Sequence, residues 1–422
     1  MHTTIEQKLS VRYSYPVMFT RDVFVPANPT LAGIFTMAGS RAHRVLAVVD
    51  SGLLEGLPDI RHRIEHYAGH HGECMQLVAR PVMAPGGERC KNGPTAVMHL
   101  HELIAEHHLC RQSFVLAIGG GALLDMVGYA AATAHRGLRL VRMPTTVLAQ
   151  NDAGVGVKNG INAFGRKNFL GAFAPPFAVL NDFNFLDTLS ARDQRAGLAE
   201  AVKVALIKDR AFFNFLYRER ARLASFDRSG MEKMIIRCAE LHLDHIGRQG
   251  DPFEFGSSRP LDFGHWSAHK LEELTGGGVR HGEAVAIGIA LDSLYSYALG
   301  MIRKKELTRI LTLLRDLGLV LFHPALRIME VANALNEFQE HLGGDLHITL
   351  LTGLGQKKEV ETIDLDLMHH CIAQLDEMDS GQRPSWPRPG LIQERSGGRL
   401  PAGLASGALL SAGSAGMGMR RR

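Results

Sequence analysis

Short apolar runs, each closed by a turn or an acidic residue, punctuate the first part of the chain. Val45–Val49 ends at Asp50 and Phe114–Ile118 at Gly119-Gly120-Gly121; Leu138–Met143 alternates with arginines and ends at Pro144-Thr145-Thr146; Ala178–Leu180 ends at Asn181-Asp182. These runs have strand length, and helical apolar spacing fills some of the gaps, Pro94–His108 for example. Strand–helix–strand alternation predicts an α/β layer of parallel strands. Beyond about residue 187 the period changes. Leu198–Phe215, Met231–Ile246, Ala268–Leu274, Glu283–Leu299 and Lys304–Leu317 read as helices, and His347–Leu351 as a late short strand. The pattern predicts an α/β domain over 1–185, a mainly helical domain over 186–377, and from 378 a Gly-, Ser-, Pro-, Ala- and Arg-rich tail expected to be disordered.

Composition agrees with a globular chain. Its 422 residues suffice for two domains, with 45% hydrophobic and 21% charged residues. The net charge is only +4, and no basic stripe with interleaved aromatics occurs, so nucleic acid is not an expected partner. The five cysteines are odd in number and form no CxxC pair, which predicts reduced thiols and a cytoplasmic location. No apolar run suits a signal peptide, and none approaches the ~18 residues of a membrane span.

Some of the residues at the run ends carry chemistry. A carboxylate at a strand end, such as Asp50, suits ribose hydroxyls, and strand-end glycines let backbone N–H groups approach a pyrophosphate. Here the acid precedes the glycines, the reverse of the usual dinucleotide fingerprint, so by themselves the glycines mark only a tight strand-to-helix turn. Glu88 and Lys91 lie one helical turn apart in PGGERCKNG, and Asp125 falls near the start of a helix, where it suits the helix dipole. Glu200 in GLAEAVK, His265 in DFGHWSAHK and His281 in VRHGEAVAIG offer one carboxylate and two imidazoles, a donor set for a catalytic zinc with an open position. His265 and His269 are spaced i, i+4, so they could bind one ion together or only one of them could.

Taken together, GGGALLDMVGYAAATAHRG, MPTTVLAQNDAGVGVKNGIN, GRKNFLGAF, GLAEAVKVALIKD, LDFGHWSAHKLE and HGEAVAIGIA resemble, in order and spacing, the 3-dehydroquinate synthase family of sugar-phosphate cyclases. The match runs from about Asp50 to about Gly300. The resemblance implies an N-terminal Rossmann-like parallel-sheet domain, a C-terminal helical domain and a site in the cleft. It implies zinc, with cobalt as an alternative, on Glu200, His265 and His281, with His269 facing the substrate. It implies NAD contacts at Asp50, Glu88, Lys91, Gly120, Gly121, Asp125, Thr145, Thr146, Thr188 and Leu189. Around a phosphorylated sugar it places Asp152, Lys158, Lys167, Asn168 and Lys203, with Lys158 and Lys167 in a Gly/Asn-rich loop. Arg136 matches a residue that reaches into a neighbouring subunit's site, which implies a homodimer. The implied phosphate cradle is Lys158, Asn168, His269 and the neighbour's Arg136. The implied reaction is a closed redox cycle in which a secondary alcohol is oxidised, phosphate is eliminated, the hydride returns, and an aldol addition closes a carbocycle.

The departures from the family pattern gather at one function. His242 stands where the family has a lysine, Ser258 where it has an arginine, and Asp262 where it has an asparagine. In the quinate-forming members that lysine and arginine help bind a substrate carboxylate, for which an imidazole and a hydroxyl substitute poorly. Leu124 and Val157 also replace glycines. Pro260 and Asp262 resemble cyclases that make valiolone- or gadusol-type rings, and HWSAHKLE is similar to the 3-dehydroquinate-synthase-like branch of Ebo gene clusters. The expectation is therefore a heptulose-phosphate-type substrate without a carboxylate. The competing readings are 3-dehydroquinate synthase itself, a zinc-dependent polyol dehydrogenase and a non-catalytic scaffold.

Overall fold

A computed structural model describes residues 4–248, 253 and 260–381. Strands β1 (Val17–Thr20), β2 (His43–Asp50), β3 (Met75–Leu77), β4 (Val82–Ala84), β5 (Phe114–Gly119) and β6 (Arg139–Pro144) lie in the first part of the chain. After them come β7 (Lys158–Ala163), β8 (Arg166–Phe173), β9 (Ala178–Asp182), β10 (Ile348–Gly353) and β11 (Gln356–Val360). The main sheet has the order β1-β9-β6-β5-β2-β3, with β4 also on β2, and every registered pair is parallel. Val45, Ala47 and Val49 face one apolar core and Leu46 and Val48 the other, with β5 alternating in the same way. Both faces are covered, which is why these strands read as unbroken apolar runs.

Strand order reverses between β2 and β5: the chain moves outward from β2 to β3 and β4, then returns to β5 on the other side. Asp50 closes β2 and Gly119 closes β5, so the acid and the glycines meet at the switch point, where open α/β sheets bind ligands. Leu124, in a glycine's place, packs into the core between the sheet and the Gly121–Thr133 helix.

The rest is built of helices around a third apolar core. The expected single helix Leu198–Phe215 is two: Asp209 ends Ala191–Lys208 and caps Arg210–Ala224 by accepting from the N–H groups of Ala211 (2.8 Å) and Phe212 (3.0 Å). The His281–Ala298 helix is buried from Ala284 to Ala298. The late strand is β10, paired antiparallel with β11. The final helix, Leu365–Asp379, runs past the expected tail boundary at 378, and residues 382–422 lie outside the described residues. The Gly/Asn-rich loop expected around Lys158 and Lys167 is instead the antiparallel hairpin β7–β8.

Candidate active site

Three helices bring one donor each to a common point. Glu200 sits inside Ala191–Lys208, while His265 and His281 each open a helix. One ligating atom of each lies within 4.8 Å of the others. The Nε2 atoms of His265 and His281 stand 3.7 and 3.6 Å from Glu200 Oε1. Their other ring nitrogens are engaged: His265 Nδ1 lies 3.2 Å from the Phe263 carbonyl oxygen, and His281 Nδ1 lies 3.2 Å from Glu272 Oε2. Donation from Nδ1–H leaves each Nε2 lone pair facing the centre, the arrangement found behind metal ligands. Glu200 is fully buried, and neither of its oxygens receives a well-aligned hydrogen bond among the described residues. This donor set fits a divalent zinc-like ion. His269 stays outside the group of three, its ring 5.6 Å from that of His265 and 6.2 Å from that of His281.

Electrostatics matches this geometry. Burial pushes the Glu200 carboxyl up, but the Lys203 ammonium together with the His281 and His265 imidazoles outweighs it and holds the group at about 2. Burial opposes charge on His281, yet Glu200 and Glu272 raise it to about 10. The two carboxylates thus call for positive charge where a cation would sit. His269 goes the other way, held at about 3 by burial and by the neighbouring imidazoles.

A second group of charges adjoins the first. Asp152 lies in a single π turn, Ala149–Ala153, after β6. His242 Nδ1 is 2.8 Å from Asp152 Oδ1, so the residue in the place of the family lysine is engaged by a carboxylate. Burial raises the Asp152 carboxyl, and Lys203 and His242 outweigh it to hold it well below the usual range. Asp262 behaves likewise beside His265, Lys158 and His269. Lys158 owes its place to a residue that the sequence did not single out. Arg142 of β6 is fully buried, and its guanidinium donates to the carbonyls of Gly156 (2.9 Å) and Lys158 (2.6 Å) and to Asn159 Oδ1 (2.6 Å). It thereby fixes the segment leading into β7. Val157, the other glycine replacement, is buried in that segment.

On β8, Lys167 donates to Glu272 Oε1 (2.9 Å). Asn168 takes a left-handed turn (φ 53°), tolerable for Asn, and accepts from the Lys91 ammonium, which also donates to Asp125 (2.8 Å). The hairpin therefore touches both the metal-side and the nucleotide-side residues. Glu272 was not read from the sequence, although its spacing carried the signal: His265, His269 and Glu272 are i, i+4 and i+7 on one helix face.

On the nucleotide side, Asp50 accepts from the Gly52 N–H (2.8 Å), and burial raises its carboxyl. A Cβ at Gly86 would fall on that carboxylate. Gly120 precedes Gly121–Thr133 with no side-chain cap, beside Thr146, and Thr145 N–H donates to the Gly119 carbonyl (3.0 Å). A strand-end carboxylate, a glycine turn and an uncapped helix start fit a dinucleotide. Glu88 and Lys91 bound one short 3-10 turn, where Glu88 accepts from Asn162 (3.0 Å). Thr188 closes the turn Phe183–Thr188 and Leu189 follows it, with the Thr188 hydroxyl donating to the Phe185 carbonyl (2.7 Å).

Arg136 is not brought to this cluster within one chain. It sits exposed on the Ala134–Arg136 turn and lines a separate groove of about 720 Å³ with Tyr13, Arg139, Phe173 and Phe177. Ser258 lies outside the described residues. All five cysteines are free, and among the described residues no helix is long and apolar enough to cross a membrane.

Comparison with known proteins follows the same lines. Residues 81–196 match the sequence profile of the 3-dehydroquinate synthase N-terminal region, and 197–340 that of its C-terminal region. A 2-epi-5-epi-valiolone synthase of Streptomyces glaucescens is 34% identical over 83% of this chain and 87% of its own length. A 3-dehydroquinate synthase of Pelobacter propionicus is 37% identical over 65% of this chain and 76% of its own length. A 2-epi-5-epi-valiolone synthase of Streptomyces hygroscopicus subsp. jinggangensis, solved with NAD+ and Zn2+ bound, superposes with a TM-score of 0.79 at 30% identity, covering 89% of this chain and 100% of the other.

Proposed function

Since the chain belongs to the 3-dehydroquinate synthase family of sugar-phosphate cyclases, we propose that it converts a phosphorylated sugar lacking a carboxylate, of heptulose-phosphate type, into a carbocycle with elimination of phosphate. The convergence of Glu200, His265 and His281 within 4.8 Å, with Lys203 paired to Glu200, carries this reading. When bound, NAD supplies a reversible hydride acceptor and a zinc or cobalt ion a Lewis acid. Glu200, His265 and His281 hold the metal; Asp50, Glu88, Lys91, Gly120, Gly121, Asp125, Thr145, Thr146, Thr188 and Leu189 surround the nucleotide.

The remaining residues act on the substrate. Lys203, beside Glu200 and Asp152, is placed to hold a hydroxyl and stabilise its negative charge as the proton leaves. Lys158, Lys167, Asn168 and His269 receive the phosphate, joined by Arg136 of the partner subunit in a homodimer. Asp262 presents a carboxylate where the family has an asparagine, and His242, engaged by Asp152, an imidazole where it has a lysine, so hydroxyls suit this end of the site and a carboxylate does not.

The test offers the protein, loaded with zinc and NAD, a panel of seven-carbon sugar phosphates with and without a carboxylate, following inorganic phosphate and NADH together. Phosphate release without NADH accumulation, confined to substrates lacking the carboxylate, is the expected result. Turnover of the carboxylated sugar alone makes the chain a 3-dehydroquinate synthase, the reading favoured by its relatives of that name. Net NADH formation makes it a polyol dehydrogenase. Asp262→Asn with His242→Lys is expected to raise kcat/KM for the carboxylated sugar about tenfold, worth ~1.4 kcal/mol; no gain sinks the assignment of these two residues to specificity.

A further inference from the structure

We propose that Glu272 is a positioning residue that orients the metal ligand His281 while sharing its charge with Lys167, so that metal loading and the setting of the hairpin lysine are coupled. This inference rests on the metal reading above. Glu272 lies two helical turns beyond His265 and is only 7% exposed. Its two oxygens are committed separately, Oε2 to His281 Nδ1 at 3.2 Å and Oε1 to Lys167 Nζ at 2.9 Å. An imidazole that donates Nδ1–H to a carboxylate is fixed in rotation and made a stronger donor at Nε2, and His281 Nε2 faces Glu200 Oε1 at 3.6 Å.

The two ligand histidines differ in this respect. Behind His265 stands the Phe263 carbonyl, a neutral acceptor. Behind His281 stands a carboxylate that a lysine also holds. A cation on His281 draws Glu272 toward the imidazole and loosens its hold on Lys167, which is 41% exposed and free to turn toward an anion. The rest of the hairpin stays in place, because Asn168 is fastened to Lys91, and Lys91 to Asp125. Linkage makes the effect reciprocal: a phosphorylated ligand that takes Lys167 away from Glu272 tightens metal binding by the same factor.

Zinc affinity of the purified full chain, by competition with a chromophoric chelator, reads this without any turnover. Glu272→Ala is expected to weaken zinc roughly 10- to 100-fold, with metal-free circular dichroism unchanged. Lys167→Met is expected to tighten zinc about three- to tenfold in the native background and to do nothing when Glu272→Ala is also present. Should Glu272→Ala fold poorly, Glu272→Gln serves: its amide oxygen still accepts from His281, so most zinc affinity returns while the Lys167 dependence disappears. Native affinity in a folded Glu272→Ala protein overturns the positioning role. An equal Lys167→Met effect in both backgrounds overturns the coupling. A folded native chain that takes up no zinc overturns the metal reading, and this inference with it.

Discussion

Glu200 and Lys203 are one helical turn apart, 0% and 2% exposed, and paired by charge. Two buried charges do not by themselves stabilise a fold, since their desolvation offsets much of their attraction, but removing one strands the other. Burial alone would drive the Glu200 proton on and the Lys203 proton off, and each shifts the opposite way because the other is present, helped by His281 and His265 on Glu200 and by Asp152 on Lys203. Lys203→Met therefore leaves a carboxylate compensated only in part by the His281 and His265 imidazoles, and a cation on the three donors supplies the rest. The metal-free protein is expected to lose about 3–5 kcal/mol, and the zinc-loaded protein distinctly less. Urea unfolding with and without chelator measures both. An equal loss in the two states would mean that Glu200 does not face the ion. At this scale the sequence offered Glu200, His265 and His281 as a candidate donor set, fixed against His269 only by the family resemblance, and the structure brings these three together. Glu272 and Arg142 escaped it, since a glutamate on a helix and an arginine in a strand read as solvated charges until burial is known.

The first turn of the His265–Leu274 helix is set by a close crossing. Gly264 adopts φ +78°, a left-handed conformation, and a Cβ there would lie 2.7 Å from the Ile289 nitrogen. From the other side, a Cβ at Gly288 would fall on the Gly264 carbonyl oxygen. The buried Asp292 completes the clamp, accepting from Gly264 N–H (3.0 Å) and Trp266 Nε1 (2.9 Å) on either side of His265. Gly288→Ala must therefore push the helix start away, at a cost of about 1–3 kcal/mol by overpacking. His265 moves with it, so zinc affinity is expected to fall at least tenfold while Glu200 and His281 keep their places. Thermal unfolding and zinc titration check the two halves; native zinc affinity in a destabilised variant would separate the crossing from the site. Elements with strong periods were legible in advance: β2 and β5 because both faces are buried, and the Lys304–Asp316 helix because its apolar stripe recurs at helical spacing. The β7–β8 hairpin was not. Its Gly- and Asn-rich strands are largely exposed on β8 and show no clean alternation, and the pairing comes from long-range register. The break at Asp209 also hid, because one capping side chain interrupts an otherwise continuous helical pattern.

On the scale of the molecule, the hairpin and the turn before β6 face outward together. Phe164, Phe169 and Phe173 are 83%, 50% and 43% exposed, and Phe173 shares the 720 Å³ groove with Arg136. Exposed aromatics gathered on one element mark an interaction surface rather than a solvated one. Arg136 has no hydrogen-bond or ion-pair partner among the described residues, and the cluster around Glu200 belongs to other elements. Both features are accounted for if a second copy covers the surface and this arginine serves the second copy's phosphate. A shared site has a consequence that a self-contained one lacks. Arg136→Ala and Lys158→Met should each be nearly inactive as pure proteins, since each removes a phosphate contact from every site. In a mixed dimer, the subunit carrying Arg136→Ala still has its own Lys158 and receives Arg136 from the other chain, so one of the two sites is whole. Co-refolding equal amounts is then expected to restore about a quarter of native activity, as half of the dimers are mixed and each has one intact site. Size-exclusion chromatography with light scattering must show a dimer in the same samples. If the mixture stays as inactive as its components while the dimer forms, Arg136 acts within its own chain or not at all.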